Sequence, residues 1–442
     1  MTPEELAGLR DSIAKAAHDV VGTPAAADLF RVIADQVKRT SPKAAAPKHK
    51  ADDPLAGVYT ELYSAETRAL LARLQQKQRG ELLNSLLDAL IPALGGGDKP
   101  VHAPEAAVDN ATAAAADAAL VSSRIKTNCE GGWAAVRRTL LATFGVLEVG
   151  PEKAIERANA FYAQLVPAAL LGTSGSLVHP DMQAALDRAS SWLTAQKGVD
   201  LAAIRTAAGR PSGFNIRANR NNPLALSEHS FGYAIDLKAD LNPNIGKSGA
   251  LDPVVDATGV DPRTQSTTGR DAAGVQSVAT TLYQASSDYV ATMSDPARFT
   301  SRIRQIVDGV RTGEKLAGLD DATATALSEL LRTGGAVPAD DRILAAAFPA
   351  GAETSARKSA IASLKRLAKA WRSANPAKGK RPAASVTASV GSVAAHGFLS
   401  LPPTLTAALS GSDAGALTWL GTSSVHDFMH FELPRASRPP LF

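Results

Sequence analysis

Two short stretches of this chain alternate apolar and polar residues with a period of two, while most of the remaining periodicity is helical. In the first, Tyr233, Ile235 and Leu237 face one side, and Gly232, Ala234 and Asp236 face the other. In the second, Phe431 and Leu433 point to a core, and His430 shares the opposite face with Glu432. So little strand among so much helix predicts an α+β fold, with a small antiparallel sheet flanked by helices.

The order of the segments sharpens this expectation. Residues 1–170 form an alanine-rich, helical N-terminal region that opens on Thr2-Pro3-Glu4-Glu5, the pattern of a helix cap with Pro at the first helical position. A Pro/Lys/Ala linker follows at about 40–55, and leucines recur at helical spacing over 56–92 until Gly95-Gly96-Gly97 breaks the pattern. Further helices are predicted near 105–122, 132–145 and 152–170. From 176 onward Gly, Pro, Asn and Ser become frequent, and an α+β domain is predicted over 176–442. A mostly helical insertion at about 262–382 interrupts it.

Composition removes several classes of function. With 45% hydrophobic and 20% charged residues the chain is globular in character, and no apolar run reaches the ~18 residues that span a bilayer. The N-terminus lacks a basic segment followed by an apolar one, so no secretory signal peptide is expected. Cys129, the single cysteine, excludes an intrachain disulfide and a cysteine-based zinc cluster. Chemistry must therefore come from histidines, carboxylates, hydroxyls and cations.

The strand-like segments carry such groups. Ser227-Glu228-His229-Ser230-Phe231-Gly232-Tyr233-Ala234-Ile235-Asp236 puts a carboxylate beside two small residues, leaving room for an ion and a substrate. Asp427-Phe428-Met429-His430-Phe431-Glu432 supplies a second histidine. Two histidines and one aspartate bind zinc and leave a fourth position for water. A carboxylate outside the ligand set must then take the proton of that water, and Asp427, three residues before His430, is the candidate.

The pattern Ser-x-His-x-x-Gly-x-Ala-x-Asp followed downstream by Asp-x-x-His resembles the D-alanyl-D-alanine carboxypeptidase-like zinc peptidases, including the VanY and VanX types and phage L-alanyl-D-glutamate endolysins. The resemblance spans roughly 176–260 and 384–442. It implies a hedgehog-like peptidase fold, one zinc per chain held by His229, Asp236 and His430, and Asp427 as catalytic base. Many members carry Glu at the base position; this chain has Asp, as some endolysin-type members do. Phe214-Asn215-Ile216-Arg217 is similar to the family's arginine-bearing segment, which implies that Arg217 steadies a substrate carbonyl or carboxylate. Ser227 would brace the site from behind, and His426 and Glu432 flank it. The implied activity is hydrolysis of an amide in a peptidoglycan stem peptide or crossbridge, as a carboxypeptidase or endopeptidase. The alternative is a wall-binding structural component of a phage-like or injection apparatus.

Partners follow from charge and context. The formal charge of +4 is local: residues 357–381 hold nine Lys/Arg and no Asp/Glu, leaving 38 basic against 43 acidic residues elsewhere. Ile361, Leu364, Ala368 and Trp371 form an apolar stripe there beside Lys358, Lys365, Lys369 and Arg372. The segment reads either as a packed helix or as a grip on an anionic wall polymer. No nucleic-acid-binding signature accompanies it. A wall enzyme without a signal peptide would be made in the cytoplasm and reach the wall by lysis or a non-Sec route. Residues 1–170 would then dock it to a secretion or phage-like apparatus, as an endolysin or antibacterial effector.

Overall fold

The computed structural model describes residues 2–18, 33, 56–74, 82, 118–145, 149–219, 222–245, 248–333, 336–351, 354–376, 393–394 and 397–441. The linker at 40–55, the triple glycine at 95–97, most of the helix expected near 105–122 and the basic residues 377–381 lie outside these. The chain is mixed α+β, mostly helical, with small antiparallel sheets. Among the described residues the strands are β1 (Val166–Leu170), β2 (Thr173–Val178), β3 (Ala218–Asn219), β4 (Asn222–Leu226), β5 (Ala234–Asp236), β6 (Thr418–Trp419) and β7 (His430–Glu432). The chain divides into two compact units. One is Met1–Gln164 with Asn215–Phe231 and Pro440–Phe442, and the other is Leu165–Phe214 with Gly232–Pro439.

The first unit starts with the predicted cap. Glu5 N–H donates to the Thr2 hydroxyl oxygen at 3.2 Å, and the Glu5 carboxylate accepts from Thr2 N–H at 2.8 Å. Phe144, which caps the C-terminus of helix Trp133–Thr143, joins Phe161 and Tyr162 of helix Pro151–Ala163, and the three rings meet at 5.3–5.7 Å. Phe231 lies edge-on against Phe161 at 6.1 Å, anchoring the one-turn 3-10 helix Glu228–Phe231 to that aromatic core. The extended segment leading to the β3–β4 hairpin is fixed by Ile216, which donates to Asn128 O at 2.8 Å and accepts from Glu130 N–H at 2.9 Å.

In the second unit the sequence misleads at one place. The helix expected over 152–170 stops at Ala163, and Val166–Leu170 is a strand. Pro167 offers no N–H to a helix and drives its predecessor to extended geometry. Leu171 and Gly172, both at positive φ (51° and 77°), then close a two-residue hairpin onto β2. Helix Pro180–Ala195 packs on β1 through Met182, Ala185, Leu186, Ala189 and Leu193, a 3–4 spacing.

The described residues of the region 262–382 are mostly helical, as expected from the sequence. Asp271, Asp295 and Asp320 cap helices Ala272–Ser294, Pro296–Gly313 and Asp321–Arg332, and the last long helix, Ser355–Ala374, starts at Thr354. That helix buries Ile361, Leu364, Ala368 and Trp371, and Trp371 packs on Phe299 at 4.6 Å. Four of its cations are engaged within the chain. Arg357 pairs with Glu314, Lys365 with Asp340 and Arg366 with buried Asp256, while Arg372 donates to Leu331 O and Thr333 O. The described part of the basic segment is thus a packed helix, and the expected grip on an anionic polymer has no contact here that supports it.

The sheet that positions the candidate site has the order β5-β7-β6, antiparallel throughout. Beneath it Trp419 stacks on Phe431 at 5.9 Å and 7°, and Phe428 packs against Phe398 and Trp419. Ile235 and Phe431, opposite each other in the register, are fully buried. The alternation read from the sequence holds: the apolar positions face this core. No described helix is long and apolar enough to cross a membrane.

Candidate metal centre

The β5–β7 register places Asp236 directly opposite His430, Ile235 opposite Phe431 and Ala234 opposite Glu432. Leu237 N–H donates to Met429 O and Leu433 N–H to Tyr233 O, at 2.9 and 2.8 Å. Since paired and unpaired positions alternate in an antiparallel ladder, Asp236 and His430 occupy a non-hydrogen-bonded pair, where side chains approach most closely. Their contact follows: His430 Nδ1 lies 3.1 Å from Asp236 Oδ1.

His229 arrives on the 3-10 turn just before β5 and is 4% exposed. Ser227 contributes through its backbone, donating to Arg217 O and accepting from Ser230 N–H. The hydroxyl that fixes this segment belongs to Ser230, fully buried, which accepts from Arg217 N–H at 3.0 Å and faces the Asn215 and Arg217 carbonyls. Gly232 then turns the chain into the strand at φ 66°. A Cβ there would stand 2.6 Å from the His179 backbone nitrogen, so the lack of a side chain at this position has a steric cause. His179 itself is structural. It caps helix Pro180–Ala195 by accepting from Asp181 N–H, and its ring meets Tyr233 edge-on at 5.2 Å.

His229, Asp236 and His430 form a group whose ligand atoms all lie within 4.8 Å of one another, with both histidines buried. The group could hold a metal ion. Ligand bonds of about 2.0–2.1 Å put neighbouring donors roughly 3.3 Å apart in a tetrahedron, close to the Asp236–His430 separation already present. Two imidazoles and one carboxylate are a donor set suited to zinc with one position left open.

The electrostatics favour a cation at this place. Burial alone would lower the pKa of His430, but hydrogen bonds donated to Asp236 and Glu432 and the charges of Asp236 and Asp427 outweigh it and push it up to about 10. Without metal, the imidazolium is the cation that these carboxylates hold. Glu432 Oε2 lies 3.2 Å from His430 Nε2, and Glu432 Oε1 accepts from Arg438 at 3.2 Å. Burial raises the Glu432 pKa, yet His430, Arg438 and Arg435 together bring it below its ordinary value.

Comparison with protein-family models, curated proteins and solved structures found no match. The site must be read on its own residues.

The remaining expected residues fall around this group in different ways. Asp427 sits on the turn entering β7, with its carbonyl accepting from His430 N–H at 3.2 Å and its Oδ2 accepting from Asn244 at 2.7 Å. Arg217 is engaged elsewhere: its Nε is 3.7 Å from the Glu130 carboxylate, to which Asn215 also donates. His426 is buried at a left-handed φ of 47°, and burial and Arg263 keep its pKa below the usual histidine value against the opposing charge of Asp261. Sequence reasoning missed Ser230 and Asn244. Ser230 lay inside the motif as a variable position, and Asn244 carries no sequence signal because only the fold brings it to Asp427.

Proposed function

We propose that the chain is a zinc-dependent peptidase that hydrolyses an amide bond of peptidoglycan, with His229, Asp236 and His430 as the metal ligands. The observation that carries the reading is the group of these three side chains, His229 from the 3-10 turn before β5 and the cross-strand pair Asp236 and His430, whose ligand atoms lie within 4.8 Å of one another. A zinc ion in such a set supplies Lewis acidity, lowering the pKa of a bound water and polarising the scissile carbonyl.

The chain's own residues would do the rest. Asp427, oriented by Asn244, takes the proton of the attacking water on one oxygen and returns it to the leaving amine. Gly232 and Ala234, the small residues on the Asp236 face, are both buried, Gly232 against the Val178 and His179 backbone, so neither offers the room for substrate that its size suggested. Arg217 would exchange its partner Glu130 for the developing negative charge or a substrate carboxylate. The wall substrate rests on the resemblance of the two motifs to zinc peptidases of that class, which together supply all four chemical positions. The hedgehog-like form of the catalytic sheet rests on the same resemblance. Delivery by lysis or by an injection apparatus goes with this reading.

The test is direct. Zinc-loaded protein incubated with purified peptidoglycan should release fragments whose masses identify the bond cut, and His229→Ala should release none. Protein that sediments with the wall and cuts nothing, with zinc bound, would overturn the peptidase reading in favour of a wall-binding component.

A further inference from the structure

The metal-ligand face of His430 is decided by what holds its other nitrogen. Its Nδ1 faces Asp236 Oδ1 at 3.1 Å and its Nε2 faces Glu432 Oε2 at 3.2 Å. Glu432 reaches back along its own strand, because residues two apart share a face. Its cross-strand partner is Ala234, too small to compete for the space. The second oxygen of Glu432 is taken by Arg438 Nη2 at 3.2 Å. Arg438 is fixed in turn: its Nε donates to Leu433 O at 3.0 Å, and its guanidinium lies 6.0 Å from the Tyr233 ring centre. These groups have side-chain exposures of 10% for His430, 18% for Glu432 and 14% for Arg438, so water does not easily replace any of them.

We propose that Glu432, locked by Arg438, is a positioning residue that keeps the His430 proton on Nε2 and presents the Nδ1 lone pair to the metal. This rests on the metal reading above and goes beyond it by assigning the ligand atom and the device that selects it. With Nδ1 and Asp236 Oδ1 both given to the metal, a neutral His430 would be left to donate from Nε2 to Glu432, because a carboxylate can only accept. Arg438 removes the one freedom that would remain. With one oxygen bonded to the guanidinium, the other is aimed at the ring. Orienting partners of this kind set both the tautomer and the basicity of a ligand histidine.

The arrangement makes an unusual prediction for Glu432→Gln. Arg438 demands an acceptor and takes the amide oxygen, which turns the amide NH₂ toward Nε2. His430 must then accept at Nε2 and carry its proton on Nδ1, the wrong nitrogen. Zinc affinity, measured by competition with a chromogenic chelator, should fall about 10–100-fold. Removing Arg438 as well, in Glu432→Gln/Arg438→Met, frees the amide oxygen to accept from Nε2–H and should restore most of the loss. A merely structural role predicts the reverse, since the second substitution would add to the damage. In the unsubstituted zinc-loaded protein, nitrogen NMR of the histidine rings should show His430 protonated on Nε2; protonation on Nδ1 would overturn the proposal even if the variants fail to fold. Unchanged zinc affinity in Glu432→Gln, or a double variant weaker than the single, would also overturn it. The metal reading fails separately: its sign is unsubstituted protein that takes up no zinc through His430, judged by His430→Ala.

Discussion

Gly232 should be among the least replaceable residues of the chain, and Gly232→Ala measures why. Two costs add. Alanine at φ 66° is strained by about 1–2 kcal/mol, the penalty of the left-handed region for a residue with a Cβ. The new methyl would stand 2.6 Å from His179 N and 2.9 Å from both the carbonyl carbon and the Cα of Val178. These are backbone atoms, which cannot swing aside as a side chain can, and overpacking of this kind costs about 1–3 kcal/mol. The hydrogen bond from His179 N–H to Gly232 O, 3.0 Å long, lies at the same contact. The sum, about 2–5 kcal/mol, is a large part of the ~5–15 kcal/mol that holds a typical domain together. Gly172 is the matched control. It has φ 77° and nothing within 4 Å of its would-be Cβ, so Gly172→Ala should cost the conformational part alone. Urea unfolding of both variants reads the difference. Equal losses would refute the steric account of the motif glycine.

Three further outcomes follow from the site and its surroundings. Asp427→Asn keeps the shape and should keep the fold and the metal while kcat falls about 10²–10⁴-fold, whereas Asp236→Asn should lose zinc first; metal analysis beside peptide hydrolysis separates the two, and loss of zinc in Asp427→Asn would make Asp427 a ligand. Burial lowers the pKa of His179 and the Asp181 charge only partly offsets this, so His179 is neutral in the fold. Its stabilising contribution is then whole above pH ~6.5 and lost as pH falls from there toward the lowered value, with a slope of up to about 1.4 kcal/mol per pH unit; His179→Asn, which still caps the helix, should flatten the acid limb of stability against pH, and an unchanged limb would refute the assignment. Arg366→Met strands Asp256, 6% exposed, and should destabilise the protein by about 1–3 kcal/mol, while Lys365→Ala breaks an exposed pair worth at most about 1 kcal/mol; equal effects in thermal unfolding would contradict the packed-helix reading of this segment.

What the sequence disclosed and what it hid divide along physical lines. Local rules were legible. The Thr2–Glu5 cap, the helical character of the described part of 262–382, and the face assignments of Tyr233–Leu237 and Phe431–Leu433 all appear in the structure. The grouping of His229, Asp236 and His430 was legible too, since two histidines and an aspartate in two short motifs are brought together as a set that could hold a metal ion. The strand at 166–170 was not, since helical text runs into it and a hairpin turn with Leu at positive φ has no strong signature. Asn244 beside Asp427 and Arg438 behind Glu432 were hidden for another reason. Such partners are created by register and chain reversal, which no local pattern encodes. The basic segment shows the opposite failure: its charge was plain, but only packing reveals that Arg357, Lys365 and Arg366 are already paired.

The central claim is that His229, Asp236 and His430 together bind one zinc ion. Elemental analysis of the full chain, purified without chelator and exchanged into metal-free buffer, tests it most directly. The account predicts about one zinc per chain, lost in both His229→Ala and His430→Ala while the circular dichroism spectrum stays unchanged. Stoichiometric zinc that survives both substitutions, or a folded chain that takes up none when zinc is supplied, would contradict it.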